Sequence, residues 1–156
     1  SVSVIDAGTL AVTGELTAGN HPFAVALDPA GKRLYVVNVW SNDVTVFDTG
    51  SGARLATVPV GRSPYGAAVH GEAGRVFVTN QHADSVSVID ALTHEVLATV
   101  PVGGYPEGIA VHANRVYVVN WMDDNVAVLD AHTLQVLATI ETGKNSRGFG
   151  QFIGAP

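Results

Sequence analysis

Val86–Asp90 reads VSVID, and the same pentapeptide or a close variant stands at Val2–Asp6 (VSVID), Val44–Asp48 (VTVFD) and Val126–Asp130 (VAVLD). Copies starting at positions 2, 44, 86 and 126 have a period of about 40 residues, which marks a propeller, solenoid or array. Each copy alternates apolar and polar residues, the pattern of a half-buried strand. Each ends on an Asp. Thr9, Thr93 and Thr133 follow three of these carboxylates by three residues, and Ser51 stands in the same relation to Asp48. That spacing suits an Asx-type turn opening a hairpin, so these are turn formers rather than acid–base catalysts.

Working outward from the pentapeptide, the unit that begins at Pro22 holds four β signals: Phe23–Leu27, Leu34–Val37, Val44–Phe47 and Leu55–Val60. Gly, Asn, Asp and Pro separate them, as they separate strands in general. The order recurs over Pro64–Val102 and Pro106–Ile140. Four antiparallel strands joined by short turns, repeated at this length, predict propeller blades. The strands are lettered A to D from the axis outward.

Tyr35-Val-Val-Asn38, Phe77-Val-Thr-Asn80 and Tyr117-Val-Val-Asn120 recur in register with the VxVxD strand and with a GxxP element at Gly19/Pro22, Gly61/Pro64 and Gly103/Pro106. Together these motifs resemble the YVTN-family β-propeller repeat, over the whole chain. The resemblance implies an all-β fold of four-stranded antiparallel blades and a periplasmic or extracellular protein. It does not single out an activity, since similar rings serve lactonases and quinoprotein enzymes.

The chain is expected to form one repeat domain: residues 1–18 as strands C and D of a partial blade, full blades at 19–60, 61–102 and 103–142, and a closing inner strand A within 143–156. Arg147-Gly-Phe-Gly-Gln-Phe-Ile resembles the closing segment of family members. This strand count is well short of the roughly 24 to 32 strands of a six- to eight-bladed ring. The expectation is therefore an arc of a ring, read as seven-bladed, that is a C-terminal fragment, a proteolytic piece or part of a longer chain, with the missing blades upstream. Large apolar faces are rarely left wet, so the remainder of the ring or a second copy is the expected partner of the two ends.

With 156 residues, 47% hydrophobic and 14% charged, the composition is that of a globular chain. The net charge of −6, with eight scattered basic residues, argues against a broad phosphate-binding surface or an anionic-membrane patch. The absence of cysteine excludes disulfides and thiolate chemistry. No stretch is long and apolar enough to span a membrane. GxSxG, HExxH, a phosphate-cradling glycine loop and CxxCH are all missing.

The repeat residues Asn38, Asn80 and Asn120 end strand B and are read as amides bracing the B–C turn. His70, His112, His94 and His132 fall at the A–B and C–D turns and are read as solvated, in blades too far apart to share a metal. In a propeller the D–A and B–C loops share one face around the channel, and loops on a rigid scaffold are the usual place for function. The D–A set is Asn20-His21, Arg62-Ser63, Gly104-Tyr105 and Asn145-Ser146-Arg147; the B–C set is Val39-Trp40, Gln81-His82 and Trp121-Met122.

From these, Trp40, Arg62, His82, Tyr105, Glu107, Trp121 and Arg147 are the candidate ligand-binding residues. Tryptophan, tyrosine and arginine are the residues that dominate binding hot spots. Glu107 stands where the other repeats carry Phe23, Tyr65 and Arg147. It is expected to pair with Arg62 or Arg147, or to join Asn20, His21 or Asn145 around an axial divalent cation, the arrangement that lactonase-like propellers suggest.

The leading expectation is a non-enzymatic binding or scaffold propeller with no cofactor, whose top-face loops and channel mouth take a protein, peptide or small ligand. The alternatives are a propeller enzyme (a lactonase-like metallohydrolase or a quinoprotein dehydrogenase subunit) and local single-strand nucleic-acid binding on the aromatic and Arg rim.

Overall fold

Alternating Val-rich runs between Asx- and Gly-containing turns become fourteen strands in the computed structural model, which describes residues 1–149. A half-blade pairs β1 (Val2–Ile5) with β2 (Val12–Leu16). Blade 1 holds β3 (Pro22–Leu27), β4 (Arg33–Asn38), β5 (Asp43–Asp48) and β6 (Arg54–Pro59). Blade 2 holds β7 (Pro64–His70), β8 (Arg75–Asn80), β9 (Ser85–Asp90) and β10 (Val96–Pro101). Blade 3 holds β11 (Pro106–His112), β12 (Arg115–Asn120), β13 (Asn125–Asp130) and β14 (Val136–Glu141).

Each full blade is a four-stranded sheet in strict chain order, antiparallel throughout, as the sequence led us to expect. Among the described residues the helical content is a single 3-10 turn, Gln81–Ala83.

The blades are held together face to face. Tyr35, Val37, Val44, Val46 and Val58 of blade 1 share a core with Val76, Val78 and Ile89 of blade 2. Phe77, Val86, Val88 and Val100 of blade 2 share the next with Ile109, Val116, Val118 and Leu129 of blade 3. Residues of opposite parity on one strand thus serve two different interfaces. This is why blade strands carry apolar residues on both faces.

The two repeat motifs explain each other. Asn80 Nδ2 donates to Ser85 Oγ at 3.2 Å and Ser87 Oγ at 2.9 Å, Asn38 Nδ2 to Asp43 Oδ1 and Thr45 Oγ1, and Asn120 Nδ2 to Asn125 Oδ1. The amide therefore braces side chains of strand C, rather than backbone groups of the B–C turn as expected. Its other side abuts the GxxP glycine: a Cβ on Gly61 would lie 2.5 Å from the amide carbon of Asn80, and Gly19 and Gly103 face Asn38 and Asn120 in the same way. The glycine is required by close approach rather than by an unusual φ.

The repeat carboxylates also behave as read. Asp6, Asp48, Asp90 and Asp130 each accept the backbone N–H of the residue three later, at 2.7 to 2.8 Å. These hydrogen bonds, chiefly from Thr9, Ser51, Thr93 and Thr133, hold all four carboxyls below their ordinary range.

Three expectations are corrected. His70 is not solvated: it is 4% exposed, and its Nδ1 accepts the Ala73 N–H at 3.0 Å. Nor are the histidines of separate blades all distant, because the rings of His70 and His132 lie 5.6 Å apart. The blades meet closely enough for the A–B turn of one to touch the C–D turn of the next. Finally, Ser146–Phe149 form no strand, although the Gly148 carbonyl packs on Gly108 as the Glu107 carbonyl packs on Gly66. The rest of the expected closing strand, residues 150–156, lies outside the described residues.

Candidate functional site

The top face is assembled from one backbone unit used three times. Within each blade the B–C loop donates to the D–A loop: Val39 and Trp40 N–H to His21 and Asn20, Gln81 and His82 to Ser63 and Arg62, Trp121 and Met122 to Tyr105 and Gly104. His21, Ser63 and Tyr105 take positive φ values of 56°, 50° and 58° although none is glycine and each precedes a proline. Left-handed backbone is unfavourable there on both counts.

At Ser63, Tyr105 and the equivalent Asn145, whose φ is 57°, what holds it comes from the preceding blade. Asn42 Oδ1 accepts the Ser63 N–H at 2.8 Å, Asp84 Oδ1 that of Tyr105 at 3.0 Å, and Asp124 Oδ1 that of Asn145 at 2.6 Å. The same three residues accept Val60, Val102 and Thr142 N–H through their own carbonyls. These latches were overlooked in the sequence, where the spacing of Asn38–Asn42, Asn80–Asp84 and Asn120–Asp124 is the signal that would have found them.

A second device aims the side chains. In each strand A the ladder skips after the proline: Pro22 pairs Asn38 and Ala24 pairs Val37, while Pro106 pairs Asn120 and Ile109 pairs Val118. The skipped residues are Phe23, Tyr65-Gly66 and Glu107-Gly108. A bulge frees a residue from the sheet's alternation and re-aims it. Glu107 therefore turns out of the alternation from inside a strand and meets Gln81 and Arg147.

Six of the seven candidate residues meet. Arg62 Nη2 donates to the His82 carbonyl at 2.5 Å. The His82 ring bridges Ser63 Oγ (2.7 Å) and Tyr105 OH (3.1 Å). Tyr105 stands edge-on to Trp121 with centroids 5.2 Å apart, and the Arg147 guanidinium lies over the Trp121 ring at 4.3 Å. Arg147 Nε is 3.6 Å from Glu107 Oε2, and Glu107 Oε1 accepts Gln81 Nε2 at 2.9 Å.

Since Gln81 precedes His82, the contacts close into a circuit spanning blades 2 and 3. Gln81 and Ser63 belong to it although they were not singled out as site residues. Trp40 stands apart, 72% exposed and stacked on His21 at 4.4 Å. Of the two partners expected for Glu107, Arg147 takes the carboxylate, while Arg62 is committed to His82.

Glu107 is the electrostatic centre of this region, 2% exposed. A buried carboxylate needs compensation. One amide and one guanidinium supply it. Burial and the negative charge of Glu107 raise the pKa of the Tyr65 phenol, with Arg147 opposing, so Tyr65 stays neutral. In this circuit, Glu107 Oε2 and Trp121 Nε1 are buried and have no hydrogen-bond partner among the described residues. Also among them, no three His, Asp or Glu side chains converge to hold a metal ion.

The sequence matches no protein-family model and no curated protein. Solved structures do resemble the fold. Hydrazine synthase of Kuenenia stuttgartiensis is 26% identical with a TM-score of 0.77, over 85% of this chain and 39% of that one. Apo AztD from Citrobacter koseri gives 16% and 0.69, over 87% and 38%, and the RRP9 WD40 repeats give 12% and 0.76, over 83% and 42%. The chain thus spans about two-fifths of the length of the structures it matches. Blade order, antiparallel register and these likenesses agree on one conclusion, that the chain is built of β-propeller blades.

Proposed function

We propose that this chain is the ligand-binding arc of a YVTN-type propeller, and that Arg62, His82, Tyr105, Glu107, Trp121 and Arg147 form its binding surface, with Trp40 at the rim. The observation that carries the reading is the closed circuit of unlike side chains set on a backbone frame that repeats from blade to blade. The frame costs strain at His21, Ser63 and Tyr105. Strain held by several independent contacts is a mark of sites built for function. Aromatic and Arg groups placed centrally on a rigid scaffold are what binding surfaces use.

A peptide or small ligand suits this surface better than a nucleic acid, given the net charge of −6 and the weight of electrostatics in phosphate binding. Further blades, from a longer chain or a second copy, would cover the end sheets and complete a ring of seven. Export to the periplasm or cell surface accords with the repeat resemblance.

The test is a selection of displayed peptides on the protein, followed by affinity measurements on variants. Tyr105→Ala and Trp121→Ala are expected to weaken the selected peptides about tenfold or more, the scale of a hot spot, whereas Leu92→Ala, at an exposed C–D turn, leaves them unchanged. Equal affinities across all three variants would overturn the proposal.

A further inference from the structure

The circuit contains a carboxylate that is buried yet not fully used. Glu107 is 2% exposed, its Oε1 is held by Gln81, and among the described residues its Oε2 accepts no hydrogen bond. The nearby cation is Arg147, whose Nε stands at 3.6 Å with the side chain 46% exposed. That is near enough for charge compensation and too far for a hydrogen bond. Only the Arg147 end of this pair is open to solvent.

Glu107 also lines a cavity of about 70 Å³ with Phe23, Tyr65, Phe149 and the backbone of Gly66 and Gly108. Phe23 and Tyr65 are 4.2 Å apart and Tyr65 and Phe149 are 6.0 Å apart, centroid to centroid. The cavity is far below the size of a drug-like site. It suits a single head group. Aromatic walls beside one carboxylate are the chemistry that recognises an organic cation, through the ring faces and the negative charge together. A divalent metal would ask for several oxygen ligands, and an anion would meet the carboxylate.

Resting on the binding role proposed above, we propose that Glu107 is the anchor of a site for a guanidinium or ammonium head group, and that Arg147, beside the carboxylate but outside the cavity, is its tethered competitor. Arg147 is itself a guanidinium, held on the Trp121 face and beside this carboxylate, so it makes from outside the cavity the charge contact that an arriving cation takes over. Binding moves Arg147 off Trp121 and gives Oε2 the hydrogen bond it lacks. Gly108 admits no side chain because the Gly148 carbonyl lies against it. That contact ties the Arg147 segment to the strand carrying Glu107.

The two tryptophans, Trp40 and Trp121, both sit on this face, so a Trp40→Phe background leaves Trp121 as the only reporter. Titration of that protein with ethylguanidinium, against sodium chloride at equal ionic strength, is expected to change Trp121 fluorescence saturably. Arg147→Ala should tighten binding about fivefold or more by removing the competing guanidinium, and Glu107→Gln, with unchanged far-UV circular dichroism, should weaken it at least about tenfold.

A Gly-Arg-Gly amide binding about tenfold more tightly than ethylguanidinium would identify a peptide side chain as the source of the cation, and equal affinities a free small cation. A response unaltered in Glu107→Gln, none in Arg147→Ala, or one to calcium chloride in place of the guanidinium would overturn the proposal. If selected peptides still depend on Trp121 while Glu107→Gln changes nothing, the cation site fails and the wider binding role stands.

Discussion

Blade 2 and blade 3 carry nearly the same sequence and are buried very differently. Phe77 is fully buried, whereas Tyr117 in the same repeat position is half-buried. Val100 is 9% exposed and its counterpart Ile140 is 51% exposed. Blade 2 has a neighbour on each face, and blade 3 lacks one beyond it among the described residues. In a propeller, then, a strand's apolar residues are made into core by the adjoining blade. Solenoid-like repeats share this dependence on nearest neighbours.

The largest expected effect separates the two blades directly. Phe77→Ala removes a fully enclosed ring and is expected to cost about 3–5 kcal/mol, while Tyr117→Ala costs well under half of that, as read from urea unfolding midpoints at constant m. Similar losses would mean that blade 3 is covered as well as blade 2. Gly61→Ala comes next. The new methyl would press on the Asn80 amide, which is backed by Ser85 and Ser87, so a loss of about 1–3 kcal/mol is expected, the range for overpacking. A neutral outcome would show that the amide can yield.

Smaller again is the latch between the same two blades. Asp84→Ala removes the acceptor for the strained Tyr105 N–H and should lower stability by about 1 kcal/mol, with Tyr105 amide exchange rising more than that of Val118. Unchanged Tyr105 protection would remove the latch from the account.

The smallest effect is on pH dependence. Because the folded carboxyls of Asp6, Asp48, Asp90 and Asp130 lie below their ordinary value of 3.8, their stabilisation is present above that value and is lost as pH falls through the folded range. Asp90→Asn keeps the accepting oxygen and should lessen the fall in melting temperature between pH 5 and pH 3. An unaltered fall would assign acid sensitivity elsewhere.

His94 acts from a higher pH downward. Burial and the neighbouring Arg33 hold its pKa below 6.5, with Asp90 opposing, so its contribution is present above that value and lost as pH falls below it.

Much of this was legible in the repeats. The Tyr-Val-Val-Asn strand, the VxVxD strand and the glycines before each proline each do one local job, and local jobs recur with the sequence. Five of the seven candidate residues, Arg62, His82, Tyr105, Trp121 and Arg147, were brought together for the same reason, since loops on a repeated frame converge in a predictable order.

What was not legible depends on contacts between blades. The Asn42, Asp84 and Asp124 latches pair residues about twenty positions apart. Burial of His70 comes from a turn it meets only in space. Gln81 joined Glu107 because a bulge in strand A re-aimed the carboxylate, and nothing in the alternation of Pro106–His112 marks that bulge.

The central claim is that neighbouring blades, rather than the repeat sequence itself, supply the stability that holds the top-face loops in place. Hydrogen exchange followed strand by strand on this chain tests it most directly. β8 and β9 are expected to be the slowest to exchange and β14 and the β1–β2 hairpin the fastest, despite matching motifs. Equal protection of β9 and β13, or faster exchange in blade 2 than in blade 3, would contradict it.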